Sequence, residues 1–509
     1  MTESRDLSRR HFVIGASATV AMTAAPVSFT NISPDDDSAH LLDLSAGEAV
    51  ARMSRGEITA ERYAAALLAR CESLRALNCF ITLEPQRVLE AARDSDRRRR
   101  AGEKLGTLFG LPIPVKDSVN TRDYPTTAGT PALRYFRPAQ DAPVVKALRD
   151  AGALILGKTN LHELSFGWTS DNHAFGAVHN PYDTKRIPGG SSGGTAAAVA
   201  AQMAPLGVAE DTQGSIRVPA ALCGICGFRP TTGRYSTRGC VPITPLFDQI
   251  GPHARTVSDL ALFDAVVAKD SQALRVTPLK GVRLGMVRDY WFTGLDPEVE
   301  RVTELAIHRI KAAGAEIIES SMPDLERLID LTTSAIQLHD VRTSLAEYLR
   351  KCGTGVTFDE VVSQASADIQ EVFRAYVVRG APHFVSEATY TEARDIHLPA
   401  LRQMYRDYFA RIGVSAVVFP ATRIAAPPIG EDLTVNIAGR KVPFEAAIAR
   451  NISPGSTAGI PGLVLPAGLT ASGLPVGIEF DAPASSDRSL LALGLSLEGA
   501  LGAISPPNI

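Results

Sequence analysis

One lysine in the sequence is placed where its amine could act as a base. Lys116 follows an apolar, proline-containing run at residues 111–115 that predicts a buried strand. Burial disfavours the charged ammonium and lowers the pKa of the amine toward neutrality, which makes it a usable general base. A structural alternative is an ion pair between Lys116 and the adjacent Asp117 at the strand end.

Two serines lie in segments that could build a nucleophilic site. Ser191 lies within residues 189–194 (GGSSGG), whose glycines permit backbone geometry and close approaches that side chains forbid. A flexible linker would have the same composition, but Thr195 caps an alanine-rich helix directly afterwards. Ser215 lies within residues 210–220 (EDTQGSIRVPA), in a turn whose N–H groups could stabilise an oxyanion or simply cap a helix.

Two motif matches are misleading. Residues 152–159 (GALILGKT) fit the phosphate-loop pattern, but four apolar residues between the glycines favour a buried strand over a loop. Residues 190–194 (GSSGG) fit the GxSxG nucleophile elbow, but no strand directly precedes them. No later histidine has a setting that marks it as the base, so a serine hydrolase built on histidine is an alternative only.

The rest of the chain alternates short apolar runs with helical patterns. Helix starts are predicted at Ser45 and Thr59, and strands at residues 206–209, 283–287, 414–419 and 476–480, among others. This alternation predicts a single α/β/α sandwich around a mixed, largely parallel sheet. We expect one domain over residues 40–509, with a mainly helical insertion at about 296–410.

Composition excludes several classes of protein. The 509 residues are 45% hydrophobic and 21% charged, with a net charge of −3, which is typical of a globular protein. This charge gives no strong field for nucleic acid or for an anionic membrane. Six cysteines are too few for a disulfide scaffold, and we interpret the CxxC at Cys223 and Cys226 as packed small side chains, with a redox role as the alternative.

The first 33 residues have the order of an export signal. A short polar lead, Arg9-Arg10, Phe12 and a small-residue apolar run resemble a twin-arginine signal, whereas the alternative is an exposed basic terminus before a helix. The apolar run is too short to span a membrane. We therefore expect a bacterial protein that is exported to the periplasm or secreted, without stable membrane insertion.

Together, the three segments resemble the amidase signature family. Lys116, Ser191 and Ser215 are 75 and 24 positions apart, which is similar to the spacing of the family's Ser–Ser–Lys triad. Further stretches, at residues 151–160, 227–231, 458–462 and 473–477, extend the resemblance over about residues 40–500. Residues 217–224 and 451–456 look most like mandelamide and indoleacetamide hydrolases within the family.

The resemblance implies a mechanism without a metal or organic cofactor. Ser215 would form an acyl-enzyme, and Ser191, after a cis peptide bond, would relay the proton to Lys116. The oxyanion hole would be formed by the backbone N–H groups of Thr212, Gln213, Gly214 and Ser215. The side chains of Ser192, Asp211 and Arg217 would support these loops.

The substrate implied is a small, aryl-substituted carboxamide. The same triad could act on anilides, carbamates or esters, and a subunit of a cytoplasmic amidotransferase is a further alternative, against which the export signal argues. A homodimer is compatible with the sequence.

One departure from the family is Gln213, where glycine is usual. If this position does not need a positive φ, the glutamine side chain should reshape the acyl pocket and alter substrate choice.

Overall fold

The computed structural model describes residues 36–270, 272–431 and 433–509. The export signal predicted over residues 1–33 lies outside this described part and stays a prediction. Within the described residues, no helix is both long and apolar enough to cross a membrane.

A single eleven-stranded sheet organises the molecule, and a separate two-stranded hairpin lies beside it. The strands are β1 (Phe80–Leu83), β2 (Pro112–Lys116), β3 (Leu154–Thr159), β4 (Leu206–Asp211), β5 (Cys226–Arg229), β6 (Gln249–Ala254), β7 (Arg283–Met286), β8 (Glu316–Glu319), β9 (Ala416–Pro420), β10 (Thr434–Ile437), β11 (Arg440–Pro443), β12 (Gly462–Leu469) and β13 (Pro475–Asp481). The order in the large sheet is β1-β3-β2-β4-β6-β5-β12-β13-β9-β7-β8, and β10 pairs with β11.

Strand directions are mixed, as predicted. Parallel pairing occurs in two blocks, β3-β2-β4 and β9-β7-β8. The strands between and beside these blocks pair antiparallel. In the centre of the sheet, the antiparallel pairing of β12 and β13 follows from the short turn that joins them. In this turn the Gly473 N–H donates to the Thr470 carbonyl at 2.9 Å.

Helices cover both faces of the sheet. They are α1 (Asp36–Asp43), α2 (Ala46–Arg55), α3 (Ala60–Ser73), α4 (Pro85–Arg100), α5 (Pro143–Asp150), α6 (Gly193–Ala200), α7 (Arg217–Cys223), α8 (Val257–Val267), α9 (Arg288–Trp291), α10 (Pro297–Ala312), α11 (Leu325–Lys351), α12 (Phe358–Gln364), α13 (Ala367–Val372), α14 (Glu387–Glu392), α15 (Leu398–Ile412), α16 (Phe444–Ile448), α17 (Ser453–Ala458) and α18 (Asp487–Leu501). Short π-helical turns follow α13 and α14 at Phe373–Val377 and Ala393–His397.

The two faces of β12 show why both helix layers are needed. Leu463 and Leu465 belong to the largest apolar core, which includes residues of α8, α10 and α18. Val464 points the other way and packs with Ala196 of α6 and Ala220 of α7. Since neighbouring residues of a strand face opposite sides, helices on both sides are required to bury them. The α/β class predicted from the sequence is confirmed.

Several local predictions are confirmed. Ser45 caps α2 in a capping box with Glu48, and Thr59 caps α3. Residues 154–159 are strand β3, buried along its whole length, so the apparent phosphate loop is part of the sheet. The cysteines of the CxxC pattern are buried free thiols, and burial raises the pKa of both Cys223 and Cys226, consistent with packed side chains.

The stretch between α10 and α15 is mostly helical. Its one strand, β8, adds to the sheet edge by parallel pairing with β7. From the second half of α11 to the π-helical turn at Phe373–Val377, residues such as Val341, Leu345 and Phe373 join an apolar cluster that also includes Leu133 and Ile243 from outside this stretch. Residues of α11 and α13 also line the cavity of the candidate active site.

Candidate active site

The base predicted from the sequence lies at the end of β2 and is fully buried. The Lys116 Nζ is 2.6 Å from the Ser191 Oγ and 2.6 Å from the Glu210 Oε1. Burial lowers the pKa of Lys116, and the neighbouring Glu210 carboxylate opposes that shift. The alternative ion pair between Lys116 and Asp117 does not form, because Asp117 pairs with Lys158 of β3 at 2.9 Å.

Ser191 is fixed by its backbone. The Gly190–Ser191 peptide bond is cis. The Ser191 carbonyl accepts hydrogen bonds from the Ser170 Oγ at 3.2 Å and from the His162 N–H at 3.1 Å. A Cβ on Gly190 would lie 2.7 Å from the backbone of Trp168, so the close approach predicted for these glycines is present.

Ser215 stands just before α7, in a turn organised by one carboxylate. Asp211, at the end of β4, accepts hydrogen bonds from the Gly214 N–H at 2.7 Å and the Ile216 N–H at 3.0 Å. Its Oδ2 also forms a buried ion pair with the Arg217 Nε at 3.1 Å. Burial raises the pKa of Asp211, but Arg217 and Arg229 outweigh burial and hold that pKa at about 2. The charged carboxylate therefore fixes the turn that presents Ser215.

The same contacts limit which N–H groups can stabilise an oxyanion. The Gly214 N–H is engaged by Asp211, which leaves those of Thr212, Gln213 and Ser215 as the candidate donors among the four predicted. The Thr212 hydroxyl is also occupied, since it donates to the Asp248 Oδ1 at 2.6 Å.

The two serine segments are joined through backbone atoms. The Ser192 N–H donates to the Ser215 carbonyl at 3.3 Å, and the Ser192 Oγ donates to the Glu210 carbonyl at 3.0 Å. Across the described residues, the hydroxyls of Ser191 and Ser215 share no hydrogen bond. Catalytic hydrogen bonds are often long or poorly aligned without substrate and tighten in the complex with it.

The φ of Gln213 is not positive, whereas Gly214 has a φ of 99°. This is the case in which the glutamine side chain is expected to reshape the acyl pocket. The Gln213 Nε2 donates to the Ser453 Oγ at 2.7 Å, and the Trp168 Nε1 donates to the Gln213 carbonyl at 2.9 Å. The side chain therefore ties the turn before Ser215 to α17 without backbone strain.

Ser215 opens into a cavity of about 350 Å³. Its walls combine aromatic and aliphatic side chains with a few polar groups: Phe166, Trp168, Ile243, Leu338, Val372 and Tyr376 among the former, and Gln213, Ser334, Gln337 and Glu445 among the latter. A mostly apolar cavity with a few polar groups is typical of a small-molecule site. Sequence reasoning did not single out Trp168 or Tyr376, because nothing local marks a pocket wall.

In the described part of the chain, no histidine ring is hydrogen-bonded to the hydroxyl of Ser191 or Ser215. Within the described residues, the ring of His253 contacts the Ile216 carbonyl at 2.7 Å, and the ring of His162 contacts the Thr169 Oγ1 at 3.0 Å. Burial lowers the pKa of His253 to about 4. No group of three or more His, Cys, Asp or Glu side chains in the described part of the chain is arranged to hold a metal ion.

Comparison with known proteins gives one consistent result. A family model described as Amidase matches residues 62–491. The indoleacetamide hydrolase of Agrobacterium vitis is 38% identical over 466 residues, covering 91% of this chain and 98% of that protein. The mandelamide hydrolase of Pseudomonas putida is 36% identical over 478 residues, covering 91% of this chain and 92% of that protein.

A solved crystal structure of an amidase has the same fold. Its TM-score is 0.80 at 30% identity, and the match covers 90% of this chain and 100% of that one. With the family model, these matches extend over nearly all of the described residues, the site segments included. The chain therefore belongs to the amidase signature family, as its motifs predicted, and the protein is an amidase that hydrolyses amide C–N bonds.

Proposed function

We propose that the protein hydrolyses a small aryl-substituted carboxamide to a carboxylic acid and ammonia through an acyl-enzyme on Ser215. The observation that carries this proposal is the position of Ser215, which opens into an aromatic-walled cavity beside the contact between Lys116 and Ser191. The names of two relatives, indoleacetamide hydrolase and mandelamide hydrolase, support an aryl-substituted acyl group.

The first half of the reaction forms the acyl-enzyme. The Ser215 Oγ attacks the amide carbon while its proton passes to the Ser191 Oγ, and the Ser191 proton passes to the neutral Lys116 amine. The oxygen of the tetrahedral intermediate is held by N–H groups from the set of Thr212, Gln213 and Ser215, and one such donor is worth about 3 kcal/mol in comparable hydrolases. The proton then returns from Lys116 through Ser191 to the leaving nitrogen, the C–N bond breaks, and ammonia leaves.

The second half releases the acid. A water molecule attacks the ester on Ser215, and its proton follows the same path through Ser191 to Lys116. Collapse of the second tetrahedral intermediate breaks the ester bond, and the proton returns to the Ser215 Oγ. Lys116 is thus a base for each attack and an acid for each departure.

The cavity supports the choice of acyl group. Phe166, Trp168 and Tyr376 offer flat apolar surfaces to a ring, whereas Gln337 and Glu445 offer hydrogen bonds to a substituent. A volume of about 350 Å³ lies at the lower end of the range for drug-sized ligands, which fits a one- or two-ring amide.

Ammonia release from a panel of primary amides tests the proposal. The purified protein is offered indoleacetamide, mandelamide, phenylacetamide, benzamide and acetamide, with Ser215→Ala as the inactive variant and Ser334→Ala as a matched serine substitution in the same cavity. We expect release from the aryl amides that disappears in Ser215→Ala and persists in Ser334→Ala. Release from acetamide alone, or release that survives Ser215→Ala, would contradict the proposal.

A further inference from the structure

Glu210 is a buried acid that the mechanism above does not use. It lies at the carboxyl end of β4, beside the end of β2, because these strands pair in parallel with Val115 opposite Val208. Its Oε1 is 2.6 Å from the Lys116 Nζ, and the exposed fractions of the two side chains are 4% and 0%. The Lys116 Nζ therefore has a hydroxyl on one side, the Ser191 Oγ, and a carboxylate on the other.

The backbone of Glu210 is held as firmly as its side chain. Its carbonyl accepts a hydrogen bond from the Ser192 Oγ at 3.0 Å, and it pairs with Ile250 of the antiparallel strand β6. Glu210 is therefore fixed on the strand that leads into the turn of Ser215, and its backbone is tied to the segment that contains Ser191 and Ser192. With the backbone held, the carboxylate could leave Lys116 only by rotating a buried side chain against close-packed neighbours.

Other titratable groups around the pair do not replace Glu210. Asp211 is neutralised by its ion pair with Arg217, and burial raises the pKa of the Cys240 thiol, which therefore stays uncharged. Burial, with the Glu210 charge, raises the pKa of Asp248 to about 7. His253 is neutral above a pKa of about 4. Glu210 is the one acid among these described groups that makes direct contact with the Lys116 amine.

We propose that Glu210 is a positioning residue for the base: it holds the Lys116 amine against the Ser191 hydroxyl and stabilises the ammonium that forms when Lys116 takes the proton. The arrangement Ser215, Ser191, Lys116, Glu210 then follows the general logic of a nucleophile, a base and a third group that orients the base. This inference rests on the proposed function.

The charges along this path balance. Before attack, Lys116 is a neutral amine and Glu210 a carboxylate, so the pair carries one negative charge. When the Ser215 proton arrives through Ser191, the pair becomes ammonium and carboxylate with no net charge, while the negative charge appears on the substrate oxygen. When Lys116 returns the proton to the leaving nitrogen, the pair regains its negative charge and the oxyanion collapses.

Glu210→Gln tests the proposal because it keeps the size and an acceptor oxygen but removes the charge. The carboxylate favours the ammonium, so its loss lets Lys116 become neutral at lower pH. We expect the acid limb of the pH profile of kcat/KM to move down by about one pH unit or more, since an opposite charge at this distance shifts a pKa by that amount. We also expect kcat to fall by about tenfold or more with KM little changed, because the ammonium formed during attack loses its partner.

Two further variants keep the test decisive. Glu210→Asp retains the charge, so it should leave the acid limb near its wild-type position even if kcat falls, and it serves where Glu210→Gln fails to fold. Asp117→Asn breaks a similar buried ion pair in which the carboxylate contacts Lys158 and not the Lys116 amine, so it should lower thermal stability without moving the acid limb.

The outcomes separate this inference from the proposed function. If wild-type release of ammonia does not depend on Ser215, the proposed function fails. If wild-type release does depend on Ser215 but Glu210→Gln leaves the acid limb unmoved, or shifts it no more than Asp117→Asn, the positioning role of Glu210 is overturned. The rate of fluorophosphonate labelling of Ser215 against pH gives a second readout that involves no leaving amine.

Discussion

At the scale of single residues, the proposed chemistry depends on the protonation of one buried amine. Burial lowers the pKa of Lys116, and the neutral amine is the form that accepts a proton. Activity should therefore be absent where Lys116 is an ammonium, rise as pH passes through its lowered pKa, and hold on the alkaline side. Initial rates of amide hydrolysis between pH 5 and about 10 measure this profile, because that range lies below the ordinary pKa of lysine.

Lys116→Met supplies the comparison for that pH profile. It keeps most of the side-chain volume but cannot take a proton, so we expect a loss of at least about 100-fold in kcat, the usual contribution of a general base. A profile governed by a group that titrates like histidine and persists in Lys116→Met would point instead to a histidine base.

Gln213 stands where the resemblance to the family implies glycine. Because the φ of Gln213 is not positive, replacing this residue with glycine would relieve no backbone strain. The substitution would remove the hydrogen bond to Ser453 and open the part of the cavity wall that the glutamine side chain forms. We expect Gln213→Gly to shift the ratio of kcat/KM between bulky and small acyl groups toward the bulky ones. Ser453→Ala, which removes the same hydrogen bond but keeps the glutamine, is the matched control. Unchanged ratios for the same amides in Gln213→Gly would show that Gln213 does not shape the pocket.

The local sequence predicted where Lys116 lies but not which side chains it contacts. The expectation that Lys116 would be buried at a strand end needed only the local apolar run, and it is confirmed. Its contact with Glu210 joins residues 94 positions apart, and it exists because β2 and β4 are neighbours in the sheet. Nothing in either segment specifies that neighbour, so the carboxylate partner could not be assigned from the sequence.

At the scale of secondary-structure elements, the helices between α10 and α15 supply one wall of the cavity. Ser334 and Gln337 come from α11, and Tyr376 comes from the π-helical turn that follows α13. This wall should determine affinity more than chemistry, because the Lys116 amine is hydrogen-bonded to the Ser191 hydroxyl and to Glu210 and not to any described side chain of the wall.

Tyr376→Ala tests the role of that wall. The loss of an aromatic face should raise KM for aryl amides by about tenfold, with a smaller change in kcat, since an aromatic contact contributes about 0.5–1.5 kcal/mol beyond the apolar area it buries. Tyr135→Ala is the matched control, because Tyr135 is 87% exposed and does not line the cavity. Equal effects of the two substitutions on KM would contradict a binding role for this wall.

Element prediction succeeded where the signal is local. Capping residues such as Ser45 and Thr59 specify helix starts through hydrogen bonds within three residues, and both are found. The strands β5 and β6 were not predicted, because their sequences, CGFR and QIGPHA, contain glycine, proline and charged or polar residues. They are strands because they pair with β4 and β12, so tertiary contacts outweigh local preference.

At the scale of the whole molecule, the sheet places the segments of the proposed triad at adjoining strand ends. Lys116 ends β2, Asp211 ends β4, and the turn to Ser215 follows directly. The α/β class could be predicted from the alternation of apolar runs and helices, but the strand order could not. The order depends on which faces bury each other, as the two sides of β12 illustrate, and that is a property of the assembled core.

We also propose that the protein is exported through the twin-arginine route, on the sequence pattern of the first 33 residues. Replacing Arg9 and Arg10 with lysine should retain the protein in the cytoplasm of a bacterial host, while the unchanged chain appears in the periplasmic fraction. Cell fractionation with an immunoblot measures this, and a cytoplasmic marker enzyme controls for lysis. Equal distribution of the two proteins would contradict export by this route.

The central claim is that Ser215 is the nucleophile of a serine amidase. The most direct test is to treat the protein with a fluorophosphonate, digest it, and locate the modified residue by mass spectrometry. We expect one phosphonyl group on Ser215, loss of amidase activity in proportion to labelling, and no labelling in Lys116→Met under the same conditions. Modification of Ser191 or Ser192 instead, or full activity after Ser215 is modified, would contradict it.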